Sequence, residues 1–347
     1  SEATHAHEEV EEAPGGRVRV LFWGTPDFAV PSLRALDEEG HEIVGVVTQP
    51  DRPAGRGRRL KPSAIKQVAI EQGVTVLTPD RPRGDDFLAE IAALQPDISV
   101  VVAYGHILKR EVLDVPALGS INVHASLLPE LRGAAPINWA IARGHSKTGV
   151  TVMRMVEAMD AGPILHTVEE PIFEDENASE LTVRLSELGA AALIEALTLM
   201  TAADIKGEPQ DDDLATFAPK VSRQVARIDW RRTAVEVSQH IRGMDSVPGA
   251  WSELAGLPIK LFRSKVVPNH VIDPPGEPGP GGNGGPPPAK DPPVPGEVVV
   301  ADAENGVVIE TLDGGVLVTE VQPPGRRRMS VRDWVIGRTV TPGQCFE

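Results

Sequence analysis

Asp97 to Tyr104, DISVVVAY, is a nearly continuous apolar run, and it reads as a strand buried on both faces. Such a strand requires a mostly parallel sheet with helices on both sides. The opening of the chain agrees with that requirement. Arg17 to Trp23 (RVRVLFW) is an apolar-rich strand, Gly24-Thr25-Pro26-Asp27 a turn, Phe28 to Glu38 a helix by its apolar spacing, and Glu42 to Gln49 (EIVGVVTQ) a second strand. This order predicts an α/β fold with a doubly wound, mostly parallel sheet. The turn lacks G-x-G-x-x-G, which argues against a dinucleotide site.

A later strand ends in polar residues. Ile121 and Val123 alternate with Asn122 and His124, so at a period of two the amide and the imidazole share one side. Ser126-Leu127-Leu128-Pro129 stops the strand, and Arg132-Gly133-Ala134-Ala135-Pro136 supplies small residues where backbone can approach a ligand before Ile137 to Ala142 turns helical. Carboxyl ends of strands in such sheets open onto the ligand crevice, which makes this exit the first candidate site. A pair of hydrogen-bonded structural residues would fit the same pattern. Gly149 to Met155 and Ile164 to Val168 read as strands flanking a tight loop, Glu157 to Pro163, in which Asp160 could be a solvent-facing turn residue. Ser179 to Met200 is a long amphipathic helix capped by Asn177 or Ser179.

This pattern divides the chain. Residues 1–16 are acidic, end in Pro-Gly-Gly and read as a flexible tail; 17–203 form the first domain. Residues 204–222 are a polar, Pro-bearing linker in which Asp211 to Asp213 are expected to be solvated. In 223–347, Arg227-Ile228-Asp229-Trp230 leads into a helix, Ala234 to Met244. Short strands at Pro258–Phe262, Gly296–Val300, Gly306–Leu312 and Gly315–Val321 then have the turn spacing of a small antiparallel barrel, and Met329 to Ile336 adds a short helix. An insertion at about 271–295 is dominated by Pro and Gly and is expected to be disordered.

The formal charge of −16 opposes nucleic-acid binding by the surface at large, so such a partner must meet local basic patches. Two are present. Arg52, Arg56, Arg58, Arg59 and Lys61 lie on a Pro/Gly-punctuated loop, and Arg326, Arg327 and Arg328 form a second cluster. Either could be no more than a solvated surface. No apolar run approaches a membrane span, and the single cysteine, Cys345, excludes an intrachain disulfide and a Cys-cluster zinc site.

Six motifs in order carry a resemblance: FWGTPDFAVPSL (Phe22 to Leu33), TQPDRPAGRGRRLKPS (Thr48 to Ser63), VVAYGHIL (Val101 to Leu108), INVHASLLPELRGAAPINWAI (Ile121 to Ile141), DAGPIL (Asp160 to Leu165) and RIDW (Arg227 to Trp230). On these the chain resembles the methionyl-tRNA formyltransferase family from Arg17 to Gly343. The resemblance implies a Rossmann-like catalytic domain and a C-terminal OB-like tRNA-binding barrel. It implies 10-formyltetrahydrofolate as formyl donor, methionyl-initiator-tRNA as acceptor, and no metal. By position the catalytic residues would be Asn122, His124 and Asp160. The folate site would be lined by Ser126, Leu127, Leu128 and Pro129, with Ala103, Tyr104, Gly105 and the Met159 to Gly162 loop beside it. The two basic clusters would meet the tRNA.

The residue types suit that chemistry. Attack of an amine on a formyl carbon builds negative charge on oxygen, which Asn122 and His124 could meet as donors while Asp160 orients the imidazole. The same trio would serve a 10-formyltetrahydrofolate hydrolase or a formyltransferase acting on another amine. A non-catalytic RNA-binding protein is the alternative of a different class. A monomer in the bacterial cytoplasm is expected, with an organellar setting as the alternative.

Overall fold

The computed structural model describes residues 16–54, 59–203, 205–267 and 292–347. Nearly all of the acidic tail, the tip of the basic loop and most of the Pro/Gly-rich insertion therefore lie outside the described residues. The chain divides into two compact units, one ending its first stretch at Gly133 and adding Thr148–Glu170 and Thr182–Phe217, the other formed by Ala134–Lys147, Pro171–Leu181 and Ala218–Glu347.

In chain order, β1 (Arg19–Gly24) passes through a 3-10 turn into α1 (Val30–Glu38), followed by β2 (Glu42–Val47) and the hairpin strands β3 (Arg52–Ala54) and β4 (Arg59–Lys61). Next come α2 (Ala64–Glu71), β5 (Val76–Leu77), α3 (Asp85–Ala93), β6 (Ile98–Val102), α4 (Arg110–Leu113) and β7 (Ser120–His124). Then α5 (Pro136–Ala142), β8 (Lys147–Arg154), β9 (Ile164–Pro171) and α6 (Ala178–Ala203) follow. The first unit is organised on a seven-stranded sheet of order β5-β2-β1-β6-β7-β8-β9. Pairing is parallel from β5 to β7 and antiparallel between β7 and β8.

Burial explains the order. Every residue of β6 is buried, as its unbroken apolar run requires, and Val20, Leu21, Phe22 and Trp23 of β1 are fully buried beside it. Large side chains buried this way contribute about 1.5–3 kcal/mol each. Ser63 caps α2 by accepting the Lys66 N–H at 3.0 Å. Asn177, not Ser179, caps α6: it accepts the Glu180 N–H at 3.0 Å, and the Glu180 carboxylate accepts the Asn177 N–H at 3.1 Å. By length and composition α6 is apolar enough to cross a membrane, contrary to the expectation that no run approaches that length. Its Leu181, Leu185, Leu193 and Ala196 are fully buried, as in the core helix of a globular domain.

Residues 205–217, expected as part of a linker, belong to the first unit and are held there by isolated backbone bridges. Glu208 and Ile164 exchange both backbone hydrogen bonds at 2.8 Å, and the Arg132 N–H reaches the Thr216 carbonyl at 2.9 Å.

The second unit carries α7 (Ala234–Gly243), β10 (Trp251–Leu254), β11 (Leu257–Val267), β12 (Val298–Asp302), β13 (Gly306–Glu310), β14 (Gly315–Gln322), β15 (Met329–Ser330) and α8 (Val331–Ile336). Thr233 and Glu236 close a capping box at the start of α7. The strands form an antiparallel curled sheet of order β10-β11-β14-β13-β12, with β15 on β14. Residues 343–347 bridge its two edges. Glu347 exchanges backbone bonds with Glu253, while the Phe346 N–H reaches Gly296 and the Val298 N–H reaches Gln344, both at 2.8 Å. Closure thus uses a segment too short and polar to read as a strand. Trp230, Ile241, Leu261, Val316, Trp334 and Phe346 fill the core.

Candidate active site

β7 lies between β6 and β8, with Asn122 opposite Val101 and Met153, and His124 opposite Thr151. Ladder bonds on both sides fix the strand, and its period of two puts both polar side chains on one face. Asn122 is half-buried, and its side-chain amide makes no hydrogen bond among the described residues. His124 is buried, with Nε2 3.0 Å from the Leu131 carbonyl. A carbonyl only accepts, so Nε2 carries the hydrogen and Nδ1 is the edge left for chemistry. Nδ1 lies 3.8 Å from Oδ2 of Asp160, beyond hydrogen-bond range. Asp160 does not face solvent: its side chain is 13% exposed, and Oδ2 accepts the Gly133 N–H at 2.8 Å.

Three loops converge here, and each holds a residue in the left-handed region: Ala103 (φ 49°), Leu131 (φ 58°) and Asp160 (φ 53°). Such conformations cost about 1–3 kcal/mol each and persist where the surroundings enforce them. Two residues after Asp160, a Cβ on Gly162 would stand 1.7 Å from the Arg154 carbonyl, so only glycine fits.

Of the folate-site candidates, Ser126 is fully buried and its hydroxyl donates to the Glu130 carbonyl at 2.6 Å. Leu128 is buried, whereas Leu127 and Pro129 are half-buried. Ala103 and Gly105 are exposed at the end of β6. Tyr104 turns its ring into the core, edge-on to Trp23 at 5.3 Å, while its carbonyl accepts from Thr25 Oγ1 at 3.0 Å and Gln49 Nε2 at 2.9 Å. The Tyr104 hydroxyl has no partner among the described residues, and burial pushes its pKa up to about 12. Neither hydroxyl is therefore presented to a ligand: that of Ser126 is spent on Glu130 and that of Tyr104 is buried.

Four further residues hold the site. Thr151, fully buried, donates to the Ser126 carbonyl at 2.7 Å and accepts the Leu128 N–H at 3.1 Å. Thr216 Oγ1 accepts the Leu131 N–H at 2.8 Å. Gln210 Nε2 donates to the carbonyls of Asp160 and Gly162, both at 2.8 Å, and its Oε1 accepts from the Arg132 guanidinium at 3.1 and 2.8 Å. Arg132 also pairs at 2.7 Å with Asp212, which stays exposed, as expected of this acidic run. Nothing local in the sequence marks these residues, because their partners lie far away along the chain.

Among the basic residues, Arg52 and Lys61 are cross-strand neighbours on the β3–β4 hairpin and both are exposed, with the Arg52 guanidinium donating to Gln49. Arg56, Arg58 and the Arg59 side chain lie outside the described residues. Arg326 and Arg327 are exposed. Arg328 is committed: it forks onto the buried Asp245 at 2.8 and 3.1 Å, pairs with Glu320, and lies 4.0 Å above the Phe262 ring. The three arginines looked equivalent in sequence; the turn before β15 separates them. Among the described residues no group of three or more His, Cys, Asp or Glu side chains could hold a metal ion.

An uncommitted amide beside an imidazole and a carboxylate can stabilise an oxygen that gains negative charge and can hold a proton in transit. The chain as a whole is similar to known proteins. Residues 16–197 match the family described as Formyl transferase, and residues 220–339 match Formyl transferase, C-terminal domain. The methionyl-tRNA formyltransferase of Bacillus subtilis (strain 168) is 42% identical over 329 residues, covering 94% of this chain and 97% of that protein. Among solved structures, HypX from Aquifex aeolicus in complex with tetrahydrofolic acid superposes with a TM-score of 0.62 at 21% identity, over 93% of this chain and 47% of that one. WlaRD, a sugar 3N-formyl transferase solved in the presence of dTDP and 5-N-formyl-THF, gives a TM-score of 0.62 at 16% identity, over 90% of this chain and all of that one (100%).

Proposed function

The chain belongs to the formyl transferase family, among the methionyl-tRNA formyltransferases, and from that premise we propose that it moves the formyl group of 10-formyltetrahydrofolate onto the α-amine of methionyl-initiator-tRNA. It is an enzyme of formyl transfer to methionyl-tRNA, the step that prepares the initiator for translation. The observation that carries the site assignment is the Asn122 amide, without a hydrogen bond among the described residues, on the same strand face as His124, whose Nδ1 stands 3.8 Å from Oδ2 of Asp160.

The folate, when bound, supplies the formyl group. The residues present suit such a group: Ala103 and Gly105 are open at the end of β6, Leu127 and Pro129 offer half-buried apolar surface, and Asn122 has its amide unspent. The remaining roles belong to the chain's own side chains. Asn122 donates N–H to the acyl oxygen as its negative charge grows, and Leu131 fixes the His124 ring so that Nδ1 faces the reacting groups. Asp160, tied to Gly133, faces that edge and takes the proton released by the acceptor amine, which then passes to the donor nitrogen as its bond to the formyl carbon breaks. Arg52, Arg56, Arg58, Arg59 and Lys61, with Arg326 and Arg327, contact tRNA phosphates, which confines the attraction to patches on an otherwise acidic protein. Residues 17–203 serve as the catalytic domain and 223–347 as the tRNA-binding domain, acting as a monomer in the bacterial cytoplasm.

The test is transfer of a labelled formyl group to methionyl-initiator-tRNA by wild type and by Asn122→Ala. Loss of transfer in the variant with the fold intact supports the site; undiminished transfer removes Asn122 from it.

A further inference from the structure

We propose that Gln210 is a positioning residue for Asp160, and that the strap of residues 205–217 sets the spacing between Asp160 and His124 from both sides. The inference rests on assigning Asp160 to the transfer chemistry. Gln210 uses its full side-chain capacity in one rotamer: both amide hydrogens go to the carbonyls of Asp160 and Gly162 at 2.8 Å, and Oε1 takes two bonds from Arg132. Those two carbonyls bracket Ala161, and the first belongs to a residue in the left-handed region (φ 53°) that needs external support. Arg132 is itself held. Its side chain is 7% exposed, it pairs with Asp212, and its backbone N–H bonds the Thr216 carbonyl at 2.9 Å.

The same strap reaches the other member of the pair. Thr216 Oγ1 accepts the Leu131 N–H at 2.8 Å, and the Leu131 carbonyl accepts from His124 Nε2 at 3.0 Å. One short segment therefore fixes the loop bearing the carboxylate and the carbonyl that aims the imidazole. An error of about 1 Å in such a pair costs on the order of a hundredfold in rate.

Gln210→Glu is close to isosteric and keeps an oxygen for Arg132, but it replaces both N–H donors by an acceptor facing two carbonyls. Its kcat for formyl transfer should fall by about 10- to 100-fold, with KM for the formyl donor and for methionyl-tRNA within about twofold of wild type. Thr216→Ala should show the same split, and Thr216→Ser, which retains the hydroxyl, should restore kcat. Asp160→Asn is measured alongside. Wild-type kcat in Asp160→Asn would remove the site assignment and this inference with it. A disabled Asp160→Asn beside a wild-type kcat in Gln210→Glu would overturn the positioning role alone. So would a loss in Gln210→Glu that only follows its folded fraction across temperature.

Discussion

Oδ2 of Asp160 stands 3.8 Å from Nδ1 of His124 while it accepts the Gly133 N–H at 2.8 Å, so the carboxylate is anchored to backbone and not to the ring it faces. A movement of about 1 Å brings the pair into hydrogen-bond range, the kind of tightening that reactive complexes show. The anchor also explains the small residues after β7. A side chain at Gly133, whose φ is 121°, would strain the backbone that presents this N–H.

Asn122→Ala should lower kcat by about 10²–10³, the effect of losing one oxyanion donor (about 2.7–4 kcal/mol), with little change in KM. Its stability in urea should stay within about 0.5 kcal/mol of wild type, because the amide makes no hydrogen bond among the described residues. Equal losses of rate and stability would mean a structural amide.

Thr151→Val should cost about 1–3 kcal/mol, since it keeps the shape but strips the Ser126 carbonyl and the Leu128 N–H of their buried partner. Denaturant midpoints of Val and Ser variants check this. Thr151→Ser should recover most of the loss.

Tyr104→Phe should leave the formyl-donor KM unchanged and be neutral to stabilising at pH 7, because it removes a buried hydroxyl without a partner among the described residues. Its alkaline behaviour follows from the folded pKa of about 12, raised by burial above the ordinary phenol value of about 10. Between these values the unfolded chain loses the phenolic proton and the folded one retains it, so wild type loses stability as pH rises through that window. Tyr104→Phe should lack that component, worth roughly 2–3 kcal/mol at its limit. Parallel stability–pH curves for the two proteins above pH 10 would contradict the buried placement of the ring.

Arg328→Met should destabilise the second unit by about 3 kcal/mol, because it leaves Asp245, whose side chain is 2% exposed, without its guanidinium. Arg326→Ala and Arg327→Ala should each change stability by no more than about 0.5 kcal/mol and lower the salt slope of tRNA binding by roughly 0.7–0.9. Thermal midpoints and binding titrations over ionic strength separate the two classes.

What the sequence displays well is anything written in local period. The unbroken run in β6 announces a covered strand, and the alternation in β7 puts Asn122 and His124 on one face. What it hides is commitment across distance. Gln210 is 50 residues from the Asp160 carbonyl it holds, and Thr216 is 85 from Leu131. Both sit in a Pro-bearing polar stretch that has the composition of a linker. Nor does side-chain direction show in a loop: Tyr104 and Ser126 stand beside exposed Ala103 and half-buried Leu127, yet turn their polar atoms inward.

The central claim is tested most directly by incubating the purified protein with 10-formyltetrahydrofolate and either initiator or elongator methionyl-tRNA, and measuring formylmethionyl-tRNA and free formate together. The account predicts rapid formylation of the initiator, little of the elongator, and formate release well below transfer. Formate release without transfer to the initiator would contradict it and assign the same site to hydrolysis.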